Sequence, residues 1–405
     1  MENYNLAIIG AGASGLAAAI SASRNHPGIK ISVFEHLPKA GKKLLATGNG
    51  RCNLTNINAL SHPYHNYDFA QDTLNKYPPE KVIDFFGSLG MLTYTDPSGR
   101  VYPRSNNASS VLDALRFSLD KNTDVFTDTR VSSIKYDSGK YIINNSVSCD
   151  KVIIAAGGKS SPSQGSDGSG YAIAESLGHS ITPLFPSLTP LNTDHEKVKS
   201  LKGVRASGVS LKLECRNVVY NSSGEILFTQ TGISGIAAME LARAAGKDTA
   251  VNSKPVLVID FIPELSAEEL SGLIKKNLSI HSDIPAESLL TGIIPKAIGL
   301  SILKYTGMHN GNKLSADIPE VSRAVSEEIK NFRLEITGTK GFNDSQVTSG
   351  GVDINEINPY TLESKINNGL YFCGEIIDVD GGCGGFNLQW AFASGLTAGE
   401  LNGQN

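Results

Sequence analysis

The chain has 405 residues, 40% hydrophobic and 19% charged, with a formal net charge of −4. This is ordinary globular composition, long enough for two or three domains, and no strongly basic domain advertises nucleic acid, although averaging hides any local basic face. Five cysteines (Cys52, Cys149, Cys215, Cys373, Cys383) are scattered and none forms C-x-x-C. Neither a zinc site nor a dithiol redox pair is therefore signalled, no metal is expected, and a reducing cytoplasm is the expected location. The N-terminus has no basic leader, and Gly10, Gly12 and Gly15 break its apolar stretch, against a signal peptide. No run of about 18 apolar residues offers a membrane-spanning helix.

In chain order, Asn5–Ile9 reads as a buried strand, the Ala-rich Ser14–Ser23 as a helix, and Ile31–Phe34 as a second strand. Strand, helix and strand within about 30 residues make a βαβ unit. Val152–Ala156 is another buried strand, ended by Gly157-Gly158. Prolines 183, 186 and 190 mark a boundary. Alternating stretches follow at Val209–Leu213, Val218–Tyr220, Ile226–Phe228 and Val256–Ile259, which suggests an antiparallel sheet or small barrel. Residues 264–335 are helical in pattern, and Ser266-Ala267-Glu268-Glu269 resembles a capping box. Tyr371–Cys373 returns to strand character, and Leu388–Leu401 is a final helix behind a glycine-rich turn. The expected class is α/β. A Rossmann-like domain is built from both chain ends (1–185 and 339–405), with an inserted β-rich, barrel-like domain (186–262) and an inserted helical domain (263–338).

Gly10-Ala11-Gly12-Ala13-Ser14-Gly15 follows a strand and opens a helix. The first Gly makes the turn, the second lets backbone approach a pyrophosphate, and the third lets helix and strand pack closely. The helix N-terminus, at Ala13 and Ser14, suits a diphosphate. Glu35 ends the second strand, 20 residues after Gly15, where its carboxylate can accept from an adenosine ribose. This unit alone cannot separate FAD from NAD, since both carry ADP. The C-terminus decides for FAD. Gly374-Glu375 follows an apolar strand, with Asp378 and Asp380 just beyond as acids for a ribityl chain. Gly381-Gly382-Cys383-Gly384-Gly385 then leads into a helix beginning near Asn387 and Leu388. That N-terminus can stabilise negative charge on a reduced flavin.

These stretches resemble the BaiN-like and YhiN-like flavoproteins, also described as aminoacetone oxidase family FAD-binding enzymes. Carrying the resemblance, beside Gly10–Gly15 and Glu35, are Gly41–Asn56 (GKKLLATGNGRCNLTN), Ala155-Ala156-Gly157-Gly158, Gly165–Tyr171, Leu227–Gly235, Gly350-Gly351-Val352 and Gly374 to Ala391. The resemblance covers nearly the whole chain in order. It implies an FAD fold with β-rich and helical insertions. It also implies that Lys43, Gly48, Asn49, Gly50, Arg51, Cys52, Asn53, Ala156 and Gly157 lie against the cofactor, and that Thr231, Gly232 and Ser234 line the substrate side. Family members reduce C=C bonds in steroid-like bile acids, oxidise a small aminoketone, or reduce a uridine of ribosomal RNA to dihydrouridine.

Three readings follow. The leading one is a reductase that delivers a hydride from flavin N5 to an electron-poor C=C bond, in a small enone or a uracil of ribosomal RNA. NADH or NADPH would dock transiently, since no second GxGxxG unit exists. The second is an amine oxidase that makes hydrogen peroxide. The third is an RNA- or protein-binding flavoprotein with structural FAD. Cys52 is the one candidate for a proton donor, although packing beside the flavin is the preferred reading of it. His62, His65 and His309 lack ligand spacing. Lys197, Lys199, Lys202, Arg205, Lys212 and Arg216 form a modest basic cluster, read as a solvated face and, if the substrate is RNA, as the first contact to test. No membrane or DNA partner is expected, and the oligomeric state is not legible.

Overall fold

The computed structural model describes every residue except 1, 63, 281–284, 286–287, 308–317 and 404–405. The chain divides into two compact units, Met1–Phe185 with Gln346–Asn405, and Pro186–Ser345.

The first unit is Rossmann-like. Glu2–Ile9 sits mid-sheet, parallel to Ile31–Phe34 on one side and to Val147–Ile154 on the other. Thr123–Phe126 extends the sheet beyond Ile31–Phe34, and Leu370–Phe372 pairs in parallel with the end of Val147–Ile154. Ile31–Phe34 is buried along its whole length, as a strand covered on both faces must be. Register does the functional work. Ile9 pairs with both Phe34 and Ile154, and Ile154 pairs with Phe372. The residues that follow these four strands therefore emerge along one sheet edge: Gly10, Glu35, Ala155 and Cys373. In open α/β sheets that carboxyl edge is where ligands bind.

The first helix (Ala13–Asn25) and the last helix (Phe386–Gly399) cover this sheet together. The last helix is buried on nearly every side, so its apolar residues are not confined to one stripe. Small side chains let the two helices touch through backbone. A Cβ on Gly395 would lie 2.4 Å from Ser14 O, and one on Gly399 2.4 Å from Ala18 O. The Ser21 hydroxyl donates to Leu396 O at 2.7 Å across the same crossing.

The second unit is a closed antiparallel barrel. Its strands run in the order 191–193, 232–234, 219–228, 205–214, 256–260, 332–339. Helices Ala267–Ile280, Lys296–Tyr305 and Ile318–Lys330 share its core. Ile274, Ile302 and Ile329 belong to the same buried cluster as Leu211, Ile259 and Phe332. The capping box forms: Ser266 N–H donates to the Glu269 carboxylate at 2.8 Å, and Glu269 N–H to the Ser266 hydroxyl at 3.2 Å. Two features differ from the sequence reading. Val218–Tyr220 and Ile226–Phe228 belong largely to one ten-residue strand, Val219–Phe228. Phe332–Thr339, whose first residues fall in the range read as helical, is the strand that closes the barrel. There Phe332, Leu334 and Ile336 point inward and alternate with Arg333 and Glu335. Asn331 alone separates this short period-2 signal from the helical segment that ends at Lys330.

The helix crossing yields a prediction with a definite sign. Glycine in a helix interior is worth about 1 kcal/mol less than alanine, so propensity alone favours Gly395→Ala. The close approach to Ser14 O, a backbone atom, opposes it. Thermal unfolding of Gly395→Ala is expected to show a lower Tm than the parent. A raised Tm would show that the helices have room to separate.

Candidate functional site: a cradle for FAD

Gly10 turns the chain with φ +107°, and a Cβ there would lie 2.4 Å from Ala155 O. Gly15 packs harder still, its Cβ position being 1.9 Å from Gly10 O. Gly12 differs from both: a Cβ on it would meet nothing within 4 Å, so the turn opens outward there. The first helical hydrogen bond of this helix is Leu16 N–H to Gly12 O, at 3.0 Å. Neither an acidic residue nor a capping side chain occupies its first turn. Its leading amides and its dipole thus face an anion-sized opening. Beside it the Glu35 carboxylate accepts from Ala11 N–H (3.3 Å) and Leu37 N–H (2.9 Å), which fixes it at the end of its strand.

Gly374 lies against the same helix end. A Cβ on it would meet the Ser14 hydroxyl at 2.5 Å, and its N–H donates to the Ser394 hydroxyl at 2.9 Å. Next to it, Glu375 pairs with Lys43 at 2.8 Å and accepts from Thr348 N–H at 2.7 Å. Asp378 accepts from Gly350 N–H (3.1 Å) and the Thr182 hydroxyl (2.9 Å), and His65 Nε2 lies 3.4 Å away. Asp378, one of the two acids expected to hold a ribityl chain, and Glu375 beside it thus brace the Thr348–Gly351 segment. Their spacing from the glycine motif signalled the place but not these partners.

The last helix begins at Gly385, φ +101°, again without a capping side chain or an acid in its first turn. Asn387 folds back to close the preceding turn, accepting from Gly381 N–H (2.9 Å) and donating to Gly381 O (2.8 Å) and Gly382 O (3.0 Å). Leu388 is half-buried beside it. The Gly41–Asn56 segment packs here. The Thr55 hydroxyl donates to Gln389 Oε1 at 2.5 Å, and Asn56 Nδ2 to Gly384 O at 3.0 Å. Gly48, Asn49, Gly50 and Cys52 all have positive φ, a sharply folded loop that places Arg51 over the Tyr102 ring at 4.6 Å. Asn53 Oδ1 is buried with no hydrogen-bond partner, next to Gly385. Cys52 is fully buried, and burial pushes its thiol up to about 12 against a hydrogen bond with Thr47. A neutral thiol of that kind packs well and gives up a proton poorly, which favours the packing role over the proton donor.

The two helix N-termini are parallel and offset. Gly395 touches Ser14, so Phe386 stands about 12 Å ahead of the first helix's start at Ala13, at 1.5 Å per residue. A dinucleotide with its diphosphate at one opening and its ring at the other fits this spacing. The open face of Gly12 and the orphaned acceptor of Asn53 suit the diphosphate and the donor groups of the flavin end. The cradle fits FAD.

The model of the HI0933-like protein Rossmann domain matches residues 4–401. The chain belongs to this family. Among relatives of the HI0933-like chain is the 3-dehydro-bile acid delta(4,6)-reductase of Clostridium scindens, 37% identical over 98% of both chains. Ribosomal RNA dihydrouridine synthases are also similar: that of Haemophilus influenzae is 30% identical, covering 96% of this chain and 95% of its own, and that of Escherichia coli 28%, covering 97% and 96%. A solved 3-ketosteroid delta1-dehydrogenase from Sterolibacterium denitrificans shares the fold, with a TM-score of 0.50 at 13% identity over 98% of this chain and 99% of that one. The HI0933-like chain is an FAD-dependent oxidoreductase.

Thr231, Gly232 and Ser234 belong to the barrel unit, where Gly232 allows tight strand pairing, its Cβ position being 1.9 Å from Leu191 O. The basic cluster is largely neutralised: Lys197 pairs with Glu328, Arg205 with Glu225, Lys212 with Glu214 and Arg216 with Asp248. His309 lies outside the described residues. Ala156 and Gly157 leave the sheet edge beside Gly10, Gly157 with φ +73°. Among the described residues no helix is long and apolar enough to cross a membrane.

Sequence reasoning missed Thr348, Thr182 and His62. The Thr348 hydroxyl accepts from the amides of Lys159 and Ser160 (2.8 and 3.0 Å) and ties the Gly157-Gly158 turn to Glu375. The only nearby signal was Gly350-Gly351. His62 stacks on Phe386 at 3.6 Å and accepts from Gly382 N–H at 2.9 Å. Ser364, His179 and Glu356 line up as a hydrolase triad would, at 2.8 and 3.1 Å. Ser364, however, is buried and its oxygen accepts from the amides of Ile366 and Asn367, so the group pins a turn.

Two predictions follow from these contacts. Lys43→Ala leaves the Glu375 carboxylate unpaired beside the diphosphate opening and is expected to weaken FAD binding about tenfold or more, equivalent to about 1.4 kcal/mol. Lys43→Ala combined with Glu375→Gln is expected to recover part of that loss in a fluorescence titration. A single variant that binds FAD like the parent would remove Lys43 from the site. The second concerns pH. Burial lowers the His62 pKa to about 4, and burial also lowers that of His179 against the pull of Glu356. Unfolded, both titrate near 6.5. Between about pH 4 and 6.5 the unfolded chain binds more protons, so stability is full above 6.5 and lost as pH falls through the window. Tm should drop from pH 7.5 to 5, and less steeply in His62→Gln. An identical slope in that variant would contradict the assignment.

Proposed function

We propose that this chain reduces an electron-poor C=C bond conjugated to a carbonyl, with a small enone as substrate and NADH or NADPH as electron source. The observation that carries the reading is the end-to-end similarity, at 37% identity, to a reductase whose name specifies a steroid-like double-bond system. Dihydrouridine differs from uridine by two hydrogens across a ring C=C bond, so the names of the other relatives describe the same class of change. The more similar relative favours the small molecule. The paired charges of the barrel cluster also leave less there for an RNA phosphate backbone to bind.

FAD held in the cradle supplies hydride transfer at its N5. The residues of the chain do the rest. The amides at the start of the first helix hold the diphosphate, and Lys43 offsets both that charge and Glu375. The start of the last helix sets partial positive charge beside the ring edge where negative charge collects on reduction. His62 and Asn387 fix the glycine turn that presents those amides. Cys52 is fully buried, so the proton for the second carbon comes from an acid or a water that reaches the substrate. Five free cysteines agree with a reducing, cytoplasmic setting.

Anaerobic mixing tests the reading. NADH or NADPH is expected to bleach the flavin band, and an α,β-unsaturated ketone to restore it. Failure of both nucleotides to bleach it removes the nicotinamide-driven reductase. Restoration by ribosomal RNA and not by enones would move the substrate to uridine, and peroxide formed from aminoacetone in air would favour the oxidase.

A further inference from the structure

A small sheet adjoins the flavin-side turn: Thr55–Asn56, Thr93–Thr95 and Arg100–Pro103. Its register pairs Asn56 with Arg100 and Tyr94 with Tyr102, and Arg104 N–H continues the ladder to Leu92 O at 2.7 Å. Strand alternation therefore sets Asn56, Arg100, Tyr102, Tyr94, Arg104 and Leu92 on one face. Along it runs a ladder of cations and rings. Arg51 lies 4.6 Å from the Tyr102 centroid, Tyr102 stacks on Tyr94 at 5.8 Å, and Arg104 lies 5.9 Å from the Tyr94 centroid. Leu92 is 77% exposed at its far end. At its near end Asn56 donates to Gly384 O, so the ladder starts at the turn that leads into the last helix.

The charge on this face is available. Among the described residues none of Arg51, Arg100 and Arg104 forms an ion pair, in contrast to the barrel cations. The acid nearest in sequence, Asp96, uses Oδ1 to accept from the amides of Ser98 and Arg100 (2.9 and 3.0 Å) and closes the turn between the strands. Guanidinium groups laid on aromatic faces keep a fixed fork for phosphate oxygens and are weakly hydrated. The half-exposed Tyr94 and the exposed Leu92 add an apolar surface for a flat base.

We propose that this face docks NAD(P)H: its diphosphate on Arg100 and Arg104, its adenosine over Tyr94 and Leu92, and its nicotinamide at the Gly384 end. The proposal rests on the reductase reading, which needs an electron donor to reach the flavin. The sequence holds no second GxGxxG unit, so that donor needs its phosphate charges met by side chains instead of a helix N-terminus. Arg100 to Arg104 spans about 13 Å, the scale of one dinucleotide and short for a tracked RNA strand.

The test is the anaerobic reductive half-reaction of the holoprotein, with parent, Arg104→Ala and Arg104→Lys. Arg104→Ala is expected to raise the Kd for NAD(P)H at least fivefold, leaving the limiting rate of flavin reduction and the FAD content unchanged. Arg104→Lys should fall between, keeping charge but losing the fork. NADP+ titrated against the flavin spectrum gives the same ranking without electron transfer. An unchanged nucleotide Kd in Arg104→Ala overturns the proposal, as does a weakened affinity for enone or RNA with nucleotide affinity intact. Parent flavin that neither nucleotide reduces, and whose spectrum NADP+ does not perturb, ends the reductase reading itself and this docking role with it.

Discussion

The whole cofactor unit depends on backbone contact between its first and last helices. Gly395 against Ser14 and Gly399 against Ala18 leave no space for a side chain, so the helices lie closer than ordinary packing allows. Their offset is fixed by the same contact. It sets one amide-rich helix start beside Glu35 and the other about 12 Å further on, beside the Gly41–Asn56 segment. A residue with a side chain at either glycine would shift one opening relative to the other. It would break a site to which neither helix start contributes enough alone.

Around this crossing, carboxylates work as braces. Glu375 links Lys43 to Thr348, and Thr348 in turn caps the turn after Val147–Ile154. Asp378 ties Gly350 to Thr182, the two stretches that flank the inserted barrel unit in sequence. Each brace sits within four residues of Gly374. One short segment therefore sets the geometry at the diphosphate opening and holds Gly350 near Thr182. Asp378 is buried and Glu375 half-buried, and each is satisfied by several donors, which is the condition for keeping a charge there.

Much of this was legible in the sequence, for a physical reason. Gly10, Gly12 and Gly15 have three different jobs, each with its own steric signature, and a strand-ending acid such as Glu35 has a fixed place relative to them. The glycine-rich approach to the last helix was legible in the same way. What was not legible depended on partners distant in sequence. Nothing near Asp378 announces Thr182, and nothing near Arg205 announces Glu225, so neither the brace nor the ion pair could be read from the sequence. Cys52 looked reactive from its neighbours, but only the fold reveals its complete burial. Phe332–Thr339 closes the barrel by pairing with strands at 191–193 and 256–260, and its own short alternation was too weak to separate it from the preceding helix.

The central claim is that one FAD site is a joint product of both chain ends. Comparing the affinities of FAD and ADP for the same apoprotein by calorimetry tests it most directly, because ADP reaches only the first helix start and Glu35. The account predicts FAD binding at least a hundredfold tighter than ADP, with one FAD per chain. Equal affinities would show that the last helix and the Gly41–Asn56 segment contribute nothing to holding the cofactor, and would contradict it.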